Sequence, residues 1–174
     1  TIAILALTVN AQSFSAKYNF AAMPSSLGPT TDPTPVPTVT GITFSSFMAV
    51  GTSTSAAGAG RFSFGGWPTG ATSTVDTYST MTGAIDLAKY YNVTITPSAG
   101  YYVTLNNATF TTQRSNSGIR SYAVRTSADS YTTNLPASVG TSTVLSINGT
   151  NQFFFNFDAT TSAQAANQIT FSYP

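Results

Sequence analysis

Acid–base catalysis near neutral pH draws mainly on histidine or glutamate, and this chain contains neither. Cysteine is also absent, which removes thiol nucleophiles, zinc-thiolate sites and disulfides together. The carboxylates that remain are Asp32, Asp76, Asp86, Asp129 and Asp158, each isolated in sequence. Two of them could act as a glycosidase-type pair only if the fold brought them together, whereas capping turns and pairing with arginine is the ordinary role of such residues. Serine is abundant, but no Ser-x-x-Lys or Gly-x-Ser-x-Gly spacing supplies a base or a nucleophile turn. Gly58-Ala59-Gly60 opens a phosphate-loop-like spacing that ends at Ser63 where a glycine belongs. No run of alternating aspartates marks a calcium loop, so the cation expectation reduces to one structural calcium held by an Asp and loop carbonyls. No other cofactor is expected, and the chain reads as non-enzymatic.

Contact chemistry is better represented. Trp67 follows Gly65-Gly66 and precedes Pro68, a strand end at which a ring can stay open to a ligand. Sugars stack on such rings through their apolar C–H faces, while a lone tryptophan is more commonly a core or rim plug. Arg114, Arg120 and Tyr122 join Trp67 as ligand-contact candidates, with surface packing or pairing to aspartate as the ordinary reading of the arginines. Tyr90-Tyr91 and Tyr101-Tyr102 are doublets, and on a strand each should bury one ring and expose the other. The Asn-x-Thr sequons at Asn92, Asn107 and Asn148 are close to what chance gives in a chain so rich in these residues.

The elements that must position these groups follow from composition. Only 6% of the residues are charged, whereas 31 are Thr and 22 are Ser, so hydroxyls replace charges as the solvated groups. Threonine is β-branched and suits a pleated, half-exposed strand, while the Lys and Glu of amphipathic helices are nearly missing. A net charge of +1, with six scattered basic residues, offers no field for nucleic acid or an anionic membrane surface.

Alternation of apolar residues predicts strands over 13–20, 42–50, 61–67, 83–87, 90–96, 101–112, 119–127, 143–147, 152–158 and 169–173. Proline-rich residues 23–41 predict an extended surface loop, because proline cannot donate to a ladder. The Pro97–Gly100 turn predicts that 101–112 folds back on 90–96, with a bulge near Asn106-Asn107. Phe153, Phe155 and Phe157 share one face and belong to the core, and 159–167 is the one stretch with helical character. The resulting fold class is all-β, an antiparallel β-sandwich formed as one domain by 12–174. Residues 1–11 are apolar but too short to span a membrane. They read as the remnant of a signal peptide cut before Gln12, or as a strand donated to a neighbour in a filament.

The block from 83 to 136 resembles a β-sandwich domain of secreted proteins from Bacteroidetes-type bacteria, often exported by the type IX pathway. The resemblance is most specific at Gln113-Arg114 and Gly118-Ile119-Arg120-Ser121-Tyr122-Ala123-Val124-Arg125. It extends to RFSFGGW at 61–67, to Thr31–Pro33 and to INGTNQFFFNFD at 147–158. It implies an extracellular, jelly-roll-like sandwich, here short of a C-terminal strand, and brings no catalytic residues with it. The expected function is therefore a secreted or cell-surface module for adhesion or glycan contact, with no membrane span and with glycans or like subunits as partners. The alternative is a structural subunit of an extracellular filament or surface layer, assembled by strand donation from 1–11.

Overall fold

A computed structural model of the 174-residue chain describes residues 12–24, 29–53, 60–67, 85–114, 119–140 and 145–156, and the backbone of 164–170. Residues 1–11, Asp76, Asp158 and Phe157 lie outside them, as do the first residues of the strands expected at 83–87 and 143–147. Among the described residues the architecture is all-β and antiparallel, with ten short strands in small sheets.

The first half is built on a ribbon. Strands β1 (Ile42–Phe44) and β2 (Met48–Val50) run antiparallel to β4 (Ile95–Pro97) and β3 (Tyr90–Asn92), respectively. Phe44 stands opposite Ile95 and Met48 opposite Asn92, so Ser45, Ser46 and Phe47 face only Val93 and Thr94. One extra residue is thus accommodated as a bulge. Ser45 closes it with both its groups: its N–H donates to Thr94 O at 2.9 Å. Its Oγ in turn accepts Thr94 N–H at 2.8 Å.

The proline-rich run corrects the expectation of a purely surface loop. Ala49 N–H donates to Thr30 O, Asp32 N–H donates to Phe47 O, and Thr31 bridges Met48. Residues 30–32 are a proline-free stretch between Pro29 and Pro33, so their N–H groups are available for a rung. This docking buries Asp32, and Met23 nearby is also inside. The core beneath the ribbon comprises Met23, Ala49 and Phe64, with Phe20 and Phe62 packed against it. Rings carry the packing: Phe62 lies 4.8 Å from Phe64, 5.0 Å from Tyr91, 5.2 Å from Phe47 and 5.4 Å from Phe20. Each such pair contributes about 0.5–1.5 kcal/mol beyond its buried area.

The second half is the sandwich. One sheet has the order β5-β10-β7 and the other β6-β9-β8. Their ranges are Asn107–Thr112 (β5), Ser121–Tyr122 (β6), Ala137–Val139 (β7), Leu145–Ile147 (β8), Phe153–Phe155 (β9) and Gln164–Thr170 (β10). Leu145, Phe153 and Phe155 form the buried centre, covered from the other sheet by Phe110, Ala137 and Val139. Phe153 and Phe155 are core, as their alternation requires, and Phe154 between them is also buried. Apart from the β8–β9 hairpin, each connection in this half crosses between the sheets, in the manner of a jelly roll.

Three expectations change. Residues 101–112 do not fold back on 90–96: β5 pairs with β10, and the register irregularity lies in β10 between Gln164 and Asn167. The cause is Tyr101, whose ring lies on Gly41 so closely that a Cβ there would sit 2.3 Å from it. The chain is pinned at that point and leaves the ribbon. Residues 164–167 belong to a strand, and the helical turn falls instead at Ser127–Asp129, a 3-10 turn. Strand β7 comes from a segment whose alternation was too short to stand out. Among the described residues no helix is long and apolar enough to cross a membrane.

Candidate ligand-contact site

Trp67 is positioned by its own flanking residues. The segment 60–67 meets Ser53 where Ser53 N–H donates to Gly65 O at 3.0 Å. A Cβ on Gly65 would lie 2.9 Å from Ser53 Oγ. One on Gly66 would lie 2.9 Å from Ser53 N, and Gly66 has φ +75°. Only glycine meets both demands, a left-handed turn and backbone in contact with backbone. The turn folds the indole back over its own segment, and Nε1 donates to Phe64 O at 2.7 Å. The ring stands edge-on to Tyr91 at 5.4 Å.

Trp67 is half-buried and Tyr91 37% exposed, so the two rings form a ledge at the rim of the first core. Tyr91 also touches Phe47, Phe62 and Phe64. Burial among these rings raises its phenol pKa, opposed by a hydrogen bond to the Phe64 backbone. The ledge is therefore rigid and neutral, a surface for C–H/ring contact rather than for proton transfer.

The other three candidates lie in the second half. Arg114 and Arg120 are each 2% exposed, which corrects the reading of these arginines as surface residues. Arg114 Nε donates to Ile119 O at 3.1 Å. Arg120 O accepts Phe155 N–H, tying the start of β6 to β9. Tyr122 stacks on Phe153 at 5.0 Å, and its hydroxyl meets Thr112 Oγ1 at 3.1 Å. The fold thus gathers Arg114, Arg120 and Tyr122 at the packed end of the sandwich, and places Trp67 in the other cluster.

Of the described aspartates, Asp86 accepts the Ala88 N–H in a local turn. Asp32 Oδ1 accepts Thr34 N–H, while its Oδ2, like Asp129 Oδ1, is buried without a hydrogen-bond partner. Among the described residues no three His, Cys, Asp or Glu side chains gather as a metal cluster. Comparison with protein-family models, curated proteins and solved structures gives no match to this chain.

One further exposed ring, Tyr131, was not singled out by the sequence. Ser130 and Tyr131 both have left-handed backbone, φ +58° and +62°, and Tyr131 is 59% exposed. Asp129 Oδ2 accepts Thr132 Oγ1, Thr133 N and Thr133 Oγ1, and the Thr133 contacts foremost hold its pKa below the ordinary carboxylate range. Arg125 fixes the far side through Asn134 Oδ1 and Tyr131 O. The signal was available: aspartate followed three and four residues later by threonines is turn chemistry, and it thrusts the intervening Tyr131 outward. The doublets depart from the one-in, one-out expectation. Tyr101 and Tyr102 are both exposed, because no strand runs through them to impose alternation.

Proposed function

We propose that this protein is a secreted or cell-surface, non-enzymatic module that makes contact with neutral glycans through the Trp67–Tyr91 ledge. The observation that carries the reading is the double-glycine approach to Ser53, which fixes an aromatic rim in place before any ligand arrives. Pre-organisation of this kind lowers the ordering cost of binding, the main expense of a weak saccharide contact. A hydroxyl-rich, charge-poor surface offers hydrogen bonds to sugar hydroxyls and no field to repel or select charged ligands. The filament alternative depends on residues 1–11, outside the described set.

Trp67 is the chain's single tryptophan, so its emission reports on the ledge directly. A glycan array followed by fluorescence titration of the bound sugars is expected to show saturable change, and Trp67→Ala is expected to abolish array binding while the chain stays folded by circular dichroism. Array signal that survives Trp67→Ala removes this reading.

A further inference from the structure

We propose that the outer edge of residues 90–97 pairs antiparallel with the same edge of a second copy of this chain, about a two-fold axis at Val93. The proposal is independent of glycan contact and begins with backbone direction. Thr94 turns both of its backbone groups toward β1–β2, donating to Ser45 Oγ and accepting from Ser45 N. Groups alternate along a strand that is itself unbulged, so the N–H and C=O of Tyr91, Val93 and Ile95 point the opposite way. Among the described residues no strand pairs with that side. Tyr90, Tyr91, Asn92, Thr94, Thr96 and Pro97 are exposed along it.

Open edges are normally guarded by charge, by an early proline or by a bulge in the edge strand itself. This one has no charged residue from 90 to 97, its proline stands at the last position, and the bulge belongs to the partner strand. The occupant follows from register. An axis at Val93 pairs Val93 with itself and Tyr91 with Ile95, so every outward N–H and C=O of the three finds a mate. It also sets Asn92 against Thr94 and Tyr90 against Thr96, an amide–hydroxyl and an aromatic–β-branched pair, with no like charges opposed. An axis at Ile95 would set Val93 against Pro97, which has no N–H. An axis at Tyr91 would set Val93 against Lys89, whose N–H is committed to Asp86 O. The two-fold at Val93 alone leaves nothing wasted.

Sedimentation velocity on the full chain is expected to show a concentration-dependent dimer. Val93→Pro deletes an outward N–H and leaves the ladder to β1–β2 untouched, so it is expected to give a folded monomer whose unfolding midpoint no longer depends on concentration. Because the chain lacks cysteine, Val93→Cys gives a second and conservative readout: oxidation is expected to yield a disulfide-linked dimer, and Asn92→Cys, set opposite Thr94, is expected not to. A monomeric wild-type chain, cross-linking at 92 in preference to 93, or a dimer that persists in Val93→Pro overturns the proposal. So does loss of association in a chain beginning at Gln12, which would make residues 1–11 the strand that adds to this edge.

Discussion

Replacing Gly66 by alanine tests whether the ledge is held by contact or by turn geometry alone. The left-handed φ of +75° costs an alanine about 1 kcal/mol relative to glycine. The new Cβ meets Ser53 N at 2.9 Å, and ordinary contact starts at 3.4 Å, so the two segments must part by about half an ångström. The bond from Ser53 N to Gly65 O already measures 3.0 Å, and that separation carries it to the limit of a hydrogen bond. Its loss adds about 1 kcal/mol, for a total near 2 kcal/mol. Gly60 supplies the control, since its φ of +74° is matched but nothing lies within 4 Å of its Cβ position. Gly60→Ala is therefore expected to cost about 1 kcal/mol, the conformational part alone. Urea unfolding followed by Trp67 emission measures both, and the difference corresponds to a midpoint shift of roughly 0.5 M at an ordinary slope. If Gly66→Ala costs no more than Gly60→Ala, backbone contact with Ser53 does not position the indole.

Two further outcomes follow from the cores. Phe153 is fully buried and stacked on Tyr122, so Phe153→Ala is expected to lose about 3–5 kcal/mol in denaturant unfolding, and Phe153→Leu, which leaves a smaller void, is expected to lose less. Tyr18 donates to Ser45 O, and burial, then the nearby Asp32 charge, pushes its phenol pKa up to about 12. The folded state thus holds a proton that the unfolded chain releases near its ordinary value of 10, so stability is intact below pH 10 and falls as pH rises toward 12. Unfolding midpoints measured across that window should decline more steeply for the wild type than for Tyr18→Phe.

The sandwich core was legible because its signal is local. A period of two at Phe153 and Phe155 needs no knowledge of the partner strand, and the scarcity of helix-forming charged residues narrows the class further. Trp67 was legible for the same reason, with two glycines beside it stating that backbone must come close. What could not be read depends on residues far away in sequence. The ribbon bulge exists only by comparison of 45–47 with 93–94. Tyr101 leaves the ribbon because of Gly41, sixty residues earlier. Arg114 and Arg120 look like surface residues by type, yet both are buried where the Arg120 backbone bonds to β9, a fact about assembly rather than about either side chain. The Tyr131 turn is the exception, a local pattern whose meaning lay in the threonines after Asp129.

The bulge also fixes how this region can change in length. Phe44 and Ala49 are both buried although five positions apart, an odd interval that would send them to opposite sides of an uninterrupted strand. Their opposite numbers Ile95 and Tyr91 are an even four apart, so parity is restored by the one supernumerary residue. Ser45-Ser46-Phe47 resembles dispensable filler, yet shortening it by one would carry Ala49 out of the interior and bring Met48 and Val50 in. Insertions or deletions of single residues are therefore forbidden here, whereas the sequence on either side can drift in composition as long as the count is kept.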